Sequence, residues 1–368
     1  LRARAQDIRR SSERKGTALA AERRGERSVQ YQGVNYDVGI HPLRDEPPSR
    51  PRFDSAIVRR ELEIIRHDLN CNAIRIVGRD LQRLMFAAEH ALEIGLTVWF
   101  SPALHDATPR ESLAHLAECA EAAEQLRRRH GRIVFVTGWE LTFFMHGLVM
   151  GATGPERMRV FMSPWRLLAN TFLKGPFNWR LDRSLARANA LVRERFKGPV
   201  TYAAGMWESV DWRRFDFVAV DCYRDVRNEA TFGSAFRKLR AAGKPVVATE
   251  FGCCTYRGAA DKGAYGWAII DWDERPPRLR GRYVRDESEQ AECVIQLLDV
   301  FEAELAAGAF VFTFVAPKYL HHPDPALDLD VASYALVKSG GDAPGPRYPD
   351  MPWEPKLAFD AVAQRFAR

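Results

Sequence analysis

The chain has 368 residues, 46% of them hydrophobic and 28% charged, a balance that fits a globular protein with one large α/β barrel or two average domains. It holds no run of 18 apolar residues and no apolar leader core, so no membrane-spanning segment and no membrane partner are expected, and its six cysteines, read as reduced, suit the cytoplasm. The net charge of +6 sits mostly in residues 1–28, where nine Lys/Arg face four Asp/Glu, so the near-neutral remainder speaks against specific nucleic-acid binding.

Residues 1–28 lack large apolar side chains and are expected to form a basic, disordered tail. Order is predicted from Val29, with a strand over 29–36 that runs into a loop at Asp37. Ile57, Leu62, Ile65 and Leu69 have helical spacing, which gives a helix over 53–69 with Asp54 as its N-cap. A strand over 72–77, a helix over 81–94 closed by Gly95 and a strand over 96–100 follow. Thr108-Pro109 opens a long helix that Gly131 ends, and a fourth strand over 133–137 carries Glu140 just beyond it. The segment 141–178, rich in aromatics, Gly and Pro, is expected as a long loop. A helix over 181–196 leads to a fifth strand over 200–204, then a short link with Trp207, Glu208 and Trp212. The sixth strand spans 215–220 and ends at Asp221 and Tyr223; a helix covers 230–242. The seventh strand, built on Val246, Val247 and Ala248, delivers Glu250. A loop to 286, a helix over 288–307, an eighth strand over 310–314, a loop over 315–352 and a helix over 353–366 complete the chain.

Eight strand–helix units in alternation, with no composition break, predict parallel strands with crossover helices. The fold class is therefore α/β: a (β/α)8 TIM barrel forming a single domain over 29–368, with long βα loops after strands four, seven and eight. Such loops share the C-terminal face, where barrels of this kind keep their chemistry.

Glu140 and Glu250 stand at two strand ends on that face. Either alone could be a salt-bridge partner or a helix cap. A pair facing each other across the mouth has the composition needed to cleave a glycosidic bond, one carboxyl giving a proton and the other attacking the anomeric carbon or activating water. Trp139, Trp207, Trp267 and Trp272 fall in or beside the strand-end loops, where about half of such rings would stack on a sugar and the others pack. Asp37 and Glu208 are candidate polar contacts to the same ligand.

The arrangement resembles clan A of the retaining glycoside hydrolases, the 4/7 superfamily, over residues 30–367. The resemblance implies that Glu140 is acid/base and Glu250 nucleophile. It also implies that Arg75 and Tyr223 flank the nucleophile and that His105 binds substrate. One departure stands out: the clan usually has Asn before the acid/base, contacting the sugar 2-hydroxyl, and this chain has Trp139, which offers a single donor and no acceptor. Residues 138–141, 249–256 and 353–356 also resemble actinobacterial proteins described as abortive infection proteins. These implications give a retaining glycosidase with a carbohydrate substrate and no cofactor. The rival is a non-catalytic carbohydrate-binding barrel in phage defence.

Other chemistries have weaker support. His321, His322 and Asp324 lack an HxH or HExxH frame, so no metal is expected; a metal-dependent barrel hydrolase or isomerase stays the third reading. Neither a Gly-x-Ser-x-Gly elbow nor a phosphate-binding glycine pattern is present. The six cysteines, Cys253-Cys254 included, show no zinc spacing and are expected to be reduced and buried.

Overall fold

The computed structural model describes residues 29–41, 46–340 and 345–368. The predicted basic tail over 1–28 lies outside them. Eight parallel strands close into a barrel: β1 (Tyr31–Gly39), β2 (Ala73–Gly78), β3 (Thr97–Pro102), β4 (Ile133–Trp139), β5 (Val200–Gly205), β6 (Val218–Asp221), β7 (Val246–Phe251) and β8 (Gly308–Val311). Neighbours in the ring follow chain order, and β8 pairs with β1 to close it. The (β/α)8 reading holds.

Period-two alternation divides the strand residues between two apolar regions. Even-numbered positions such as Ile74, Ile76, Val98 and Phe100 join the large core shared with the helices. Their odd neighbours Ala73, Val77 and Trp99, with Val134, Val136, Ala203, Phe217, Val247 and Phe310, fill the barrel interior. Trp99 packs on Phe217 at 5.1 Å and Phe310 at 5.0 Å, with Tyr31 on its edge at 5.6 Å, so the interior is a solid aromatic plug. Above the plug the same inward parity presents Asn35, Arg75, Ser101, Asp221 and Thr249, all buried.

The outer helices start where the sequence says they should. Asp54 caps α1 (Ser55–His67), its carboxylate accepting from the amides of Ala56 at 2.8 Å and Ile57 at 3.3 Å. Thr108 and Glu111 form a reciprocal capping box, with Pro109 at the first turn of α2 (Pro109–His130). All six cysteines are buried and unpaired with one another.

Four local expectations change. β1 continues through Asp37 to Gly39, because Tyr36 and Val38 alternate into the core instead of stopping at 36. Between β5 and β6 there is no α-helix, only a 3-10 turn at Trp212–Arg214, so helix–strand alternation is not strict. The segment after β4 is not an open loop: it folds into short helices at Leu141–Phe144, Gly154–Phe161 and Pro164–Lys174, the last two with proline in the first turn. Trp353–Pro355 is a strand paired with Val337–Ser339, and the last helix starts only at Leu357. Trp353 is buried and donates its indole N–H to Glu61 at 2.9 Å, which outweighs the helical pattern around it.

Candidate active site

Two breaks in strand regularity shape the C-terminal mouth. In β7, Val220 pairs with Ala248 but Asp221 pairs with Glu250, and on the other side Ala309 pairs with Ala248 but Val311 with Phe251. One extra residue is therefore accommodated at Thr249–Glu250, a bulge that re-aims side chains. Strict alternation would send neighbours 249 and 250 to opposite faces. Here both join one cluster: the Thr249 hydroxyl donates to Asp221 Oδ1 at 2.8 Å, and Glu250 Oε1 accepts from the Tyr223 hydroxyl at 2.7 Å. The buried Asn35 amide pins the bulge by donating to the Thr249 carbonyl at 3.0 Å and the Phe310 carbonyl at 3.3 Å.

The second break ends β4. Its register against β5 shifts between Val136 and Trp139, and Glu140 takes the left-handed backbone conformation, φ 40° and ψ 43°. For a residue with a β-carbon that conformation costs on the order of 1 kcal/mol. It is held by the Glu140 amide donating to the Ala203 carbonyl at 3.1 Å and the Leu141 amide donating to the Tyr202 hydroxyl at 2.8 Å.

Arg75 rises from β2 into the centre of the cluster, 1% exposed. One of its terminal nitrogens stands 3.3 Å from Asp221 Oδ1, 3.2 Å from the Thr249 carbonyl and 3.7 Å from Glu250 Oε2. Its Nε is 3.4 Å from the Ser101 hydroxyl, and its guanidinium carbon lies 5.4 Å from the centre of the Trp139 ring. A single guanidinium thus serves two carboxylates.

That ratio sets the electrostatics. Burial pushes the Glu250 carboxyl up to about 8, reinforced by Asp221 and opposed by Arg75 and Tyr223. Glu140 rises well above the ordinary range, again chiefly through burial and then through Asp221, Glu250 and Glu208. Asp221 is raised by burial against the pull of Arg75 and Thr249. Buried Tyr223 is held well above its usual value, so its hydroxyl remains a donor to Glu250.

Glu140, Glu250, Arg75 and Tyr223, named from sequence, therefore come together. Trp139, the last residue of β4, packs with the interior apolar cluster and lines the cavity beside His105. His105 stacks on Phe144 at 4.1 Å and meets the Trp139 ring edge-on at 5.2 Å, one wall of a mainly apolar cavity with Pro102, Leu116 and Leu141. Glu208 is bound within the protein, accepting from the Thr142 amide at 3.0 Å, the Thr142 hydroxyl at 2.7 Å and the Tyr202 hydroxyl at 2.7 Å; burial raises it to about 7. Trp207 packs on Phe143 at 4.5 Å and donates its N–H to the Thr142 hydroxyl at 3.0 Å. Asp37 accepts from the amides of Gly39 at 2.7 Å and Ile40 at 3.1 Å, closing the loop after β1. Trp267 follows Gly266, whose amide donates to the Tyr334 hydroxyl at 3.0 Å, and Tyr334 packs edge-on against Tyr223 at 5.5 Å. Trp272 packs against Tyr319.

Sequence reasoning passed over Asp221, Thr249, Ser101 and Asn35. The inward parity of Arg75 on β2 was a usable signal for Asn35, its register partner on β1, and for Ser101, two residues beyond its partner Trp99 on β3. The bulge that adds Thr249 had no signal. His321 does not assemble a metal site: its Nδ1 lies 3.0 Å from Asp328 Oδ1 in an ion network with Arg285, and among the described residues no group of three His, Cys, Asp or Glu could hold a metal ion.

The molecule is a (β/α)8 barrel with a strand-4 and a strand-7 glutamate over a buried arginine. Comparison with solved structures returns the same fold in glycoside hydrolases. A GH113 β-1,4-mannanase is 13% identical with a TM-score of 0.58, covering 92% of this chain and 99% of that one. The GH113 β-mannanase from Alicyclobacillus acidocaldarius is 15% identical with a TM-score of 0.52, over 92% of this chain and 98% of its own. A glycoside hydrolase family 5 enzyme from Prevotella bryantii is 10% identical with a TM-score of 0.50, over 93% and 97%. At these identities the likeness is one of fold. No family model and no curated protein matches the chain.

Proposed function

We propose that the protein is a glycoside hydrolase of the retaining, double-displacement type. Glu250 attacks the anomeric carbon and forms a glycosyl-enzyme. Glu140 protonates the leaving oxygen and then, as carboxylate, draws the proton from the water that releases the sugar. The observation that carries the reading is the environment of Glu250: a Tyr223 hydroxyl at 2.7 Å on one oxygen and the Arg75 guanidinium at 3.7 Å from the other. These two contacts orient one carboxylate oxygen pair and favour its ionised form, as a nucleophile requires. Glu140, raised well above its ordinary value, holds a proton where the acid role needs one. Arg75 and Tyr223 act through Glu250 and are positioning residues.

A second reading keeps the barrel as a carbohydrate-binding protein without turnover, in the phage-defence role the sequence words suggested. Trp139 favours it, because a buried indole fills the position before Glu140 and cannot accept a hydrogen bond from a sugar hydroxyl.

The test is a panel of aryl glycosides and β-linked oligosaccharides, mannosides and glucosides included, with product anomers followed by proton NMR. The hydrolase reading requires turnover with retained configuration, abolished in Glu250→Gln, and a mass adduct on Glu250 after a 2-deoxy-2-fluoroglycoside. Sugar binding without turnover supports the second reading. Turnover that survives Glu250→Gln unchanged removes the assignment.

A further inference from the structure

The helices inserted after β4 carry an apolar face that the protein leaves uncovered. On the Pro164–Lys174 helix, Trp165 is 80% exposed, Leu168 60% and Phe172 89%. These three stand at i, i+3 and i+7, on one face. Leu173 on the same helix, Met162 just before it and Trp179 just after are 67%, 68% and 59% exposed. Of the helix's own residues only Asn170 is buried, accepting from the Met150 amide at 2.9 Å. An eleven-residue helix is too short to be stable in water from propensity alone, and this one gains little from packing.

The segment is nevertheless built in. Arg157, fully buried, donates to the Phe143 carbonyl and pairs with Asp106 from the loop after β3, so the Gly154–Phe161 helix is fastened to the barrel rim. The Pro164–Lys174 helix rests on that helix.

Charge decides what covers the apolar face. Residues 154–187 hold seven Arg or Lys and two Asp or Glu. Of the two acids, Asp182 is taken by Arg214 and Glu156 accepts from the Ala152 amide. Arg159, Arg166, Lys174 and Arg183 are exposed and, among the described residues, make no ion pair. Arg159 and Arg166, with Glu156 and the loop at Met150, line a groove beside the two helices and leave it a net positive charge. A second copy of the chain would set this cationic rim against itself. The tail over 1–28, with nine Lys/Arg, has the same sign. Exposed Trp, Phe and Leu ringed by arginine and lysine fit the headgroup boundary of an anionic bilayer.

We propose that this helix pair docks the protein on anionic lipid membranes, with Trp165, Leu168 and Phe172 inserted at the headgroup level and Arg159 and Arg166 on the lipid phosphates. The attachment is peripheral: among the described residues no helix is long and apolar enough to cross a membrane. The segment starts at Leu141, directly after Glu140, so the docked surface shares the rim of the barrel mouth. The proposal stands whether or not the barrel hydrolyses sugars.

The test is co-sedimentation of the full chain with vesicles of equal phosphatidylglycerol and phosphatidylcholine, beside pure phosphatidylcholine. Binding is expected to the first and to fall at least about 10-fold with pure phosphatidylcholine, with 0.5 M salt, or in the Leu168→Ser/Phe172→Ser variant. Both residues are exposed, so thermal melting of that variant should match the parent, which separates lost docking from lost folding. Brominated lipid should quench tryptophan emission, and Trp165→Phe should remove most of the quenching. Equal binding by the double variant would assign the attachment to the basic tail and overturn the proposal. So would absence of vesicle binding, whether the face then proves to mediate a dimer seen by light scattering or to hold an acidic protein.

Discussion

Replacing Glu250 by Gln should stabilise the protein while abolishing turnover, and the gain should depend on pH. In the fold, burial and the Asp221 charge move the Glu250 carboxyl from an ordinary 4.5 up to about 8. A carboxyl raised in this way favours folding fully below its unfolded value. Between 4.5 and 8 the folded state holds a proton that the unfolded state has lost, so stability falls as pH rises through that window. At about 1.4 kcal/mol per pH unit the loss reaches at most about 5 kcal/mol above the window, and about 3 kcal/mol at neutrality. The side chain is 18% exposed, so solvent screening removes only part of this. Gln keeps the shape, and its carbonyl oxygen still accepts from Tyr223, but it carries no charge for Asp221 to oppose. Against this it forfeits the 3.7 Å contact with Arg75, which Asp221 then holds alone. The expected net gain is about 2–3 kcal/mol at pH 8, roughly 3–4 °C in melting temperature for a chain of this length, and close to zero at pH 4. Calorimetry or melting followed by circular dichroism at several pH values measures it. A Gln variant that is less stable at pH 8, or shifted equally at pH 4 and pH 8, would refute the electrostatic account of this site.

The same groups set the pH dependence of the proposed reaction. The nucleophile must be ionised and the acid protonated, so kcat/KM should rise with pH through about 8 on its acidic limb, and the raised Glu140 carboxyl should set the alkaline limb. An optimum near pH 5, measured with any substrate the panel yields, would contradict it. Tyr223→Phe removes the 2.7 Å donor that favours the Glu250 carboxylate, so the acidic limb should move to higher pH and kcat/KM near neutrality should drop about 10-fold, with little change in melting temperature. Lys356→Met tests the ion network behind the mouth. Lys356 Nζ lies 3.0 Å from Asp330 in full burial and 2.9 Å from the Thr255 hydroxyl, so its loss strands a buried carboxylate that keeps only Arg285. Urea unfolding should show about 3 kcal/mol of destabilisation.

The barrel was legible because its strands are short apolar runs set off by glycine and proline, and because caps such as Asp54 and Thr108 mark helix starts locally. Errors fell where tertiary packing overrides local pattern. Trp353 is drawn into a strand by burial and by its bond to Glu61, and the Gly154–Phe161 and Pro164–Lys174 helices sit in a stretch whose glycine and proline content imitates a loop. At the site, glutamates at strand ends are visible in sequence because the strands that deliver them are. The contacts that tune them are not. Asp221 ends β6 two residues before Tyr223 and reads as an ordinary strand-terminal residue; only closure of the ring puts it 3.3 Å from an arginine on β2.

Asp221 changes how the cluster should be understood. With Glu250 alone, Arg75 would oppose the rise caused by burial without the added push of Asp221. With Asp221 nearer to the same nitrogen and receiving the Thr249 hydroxyl as well, the guanidinium is shared and Glu250 stays raised. The bulge at Thr249–Glu250 produces both halves of that balance, since it turns the hydroxyl to Asp221 and the carboxylate to Tyr223 in one step. In the proposed reaction the oxocarbenium-like transition state places partial positive charge next to Glu250, which favours its ionised form there without any change in Arg75. In that proposal Glu250, raised to about 8 in the resting site, would ionise as this charge develops.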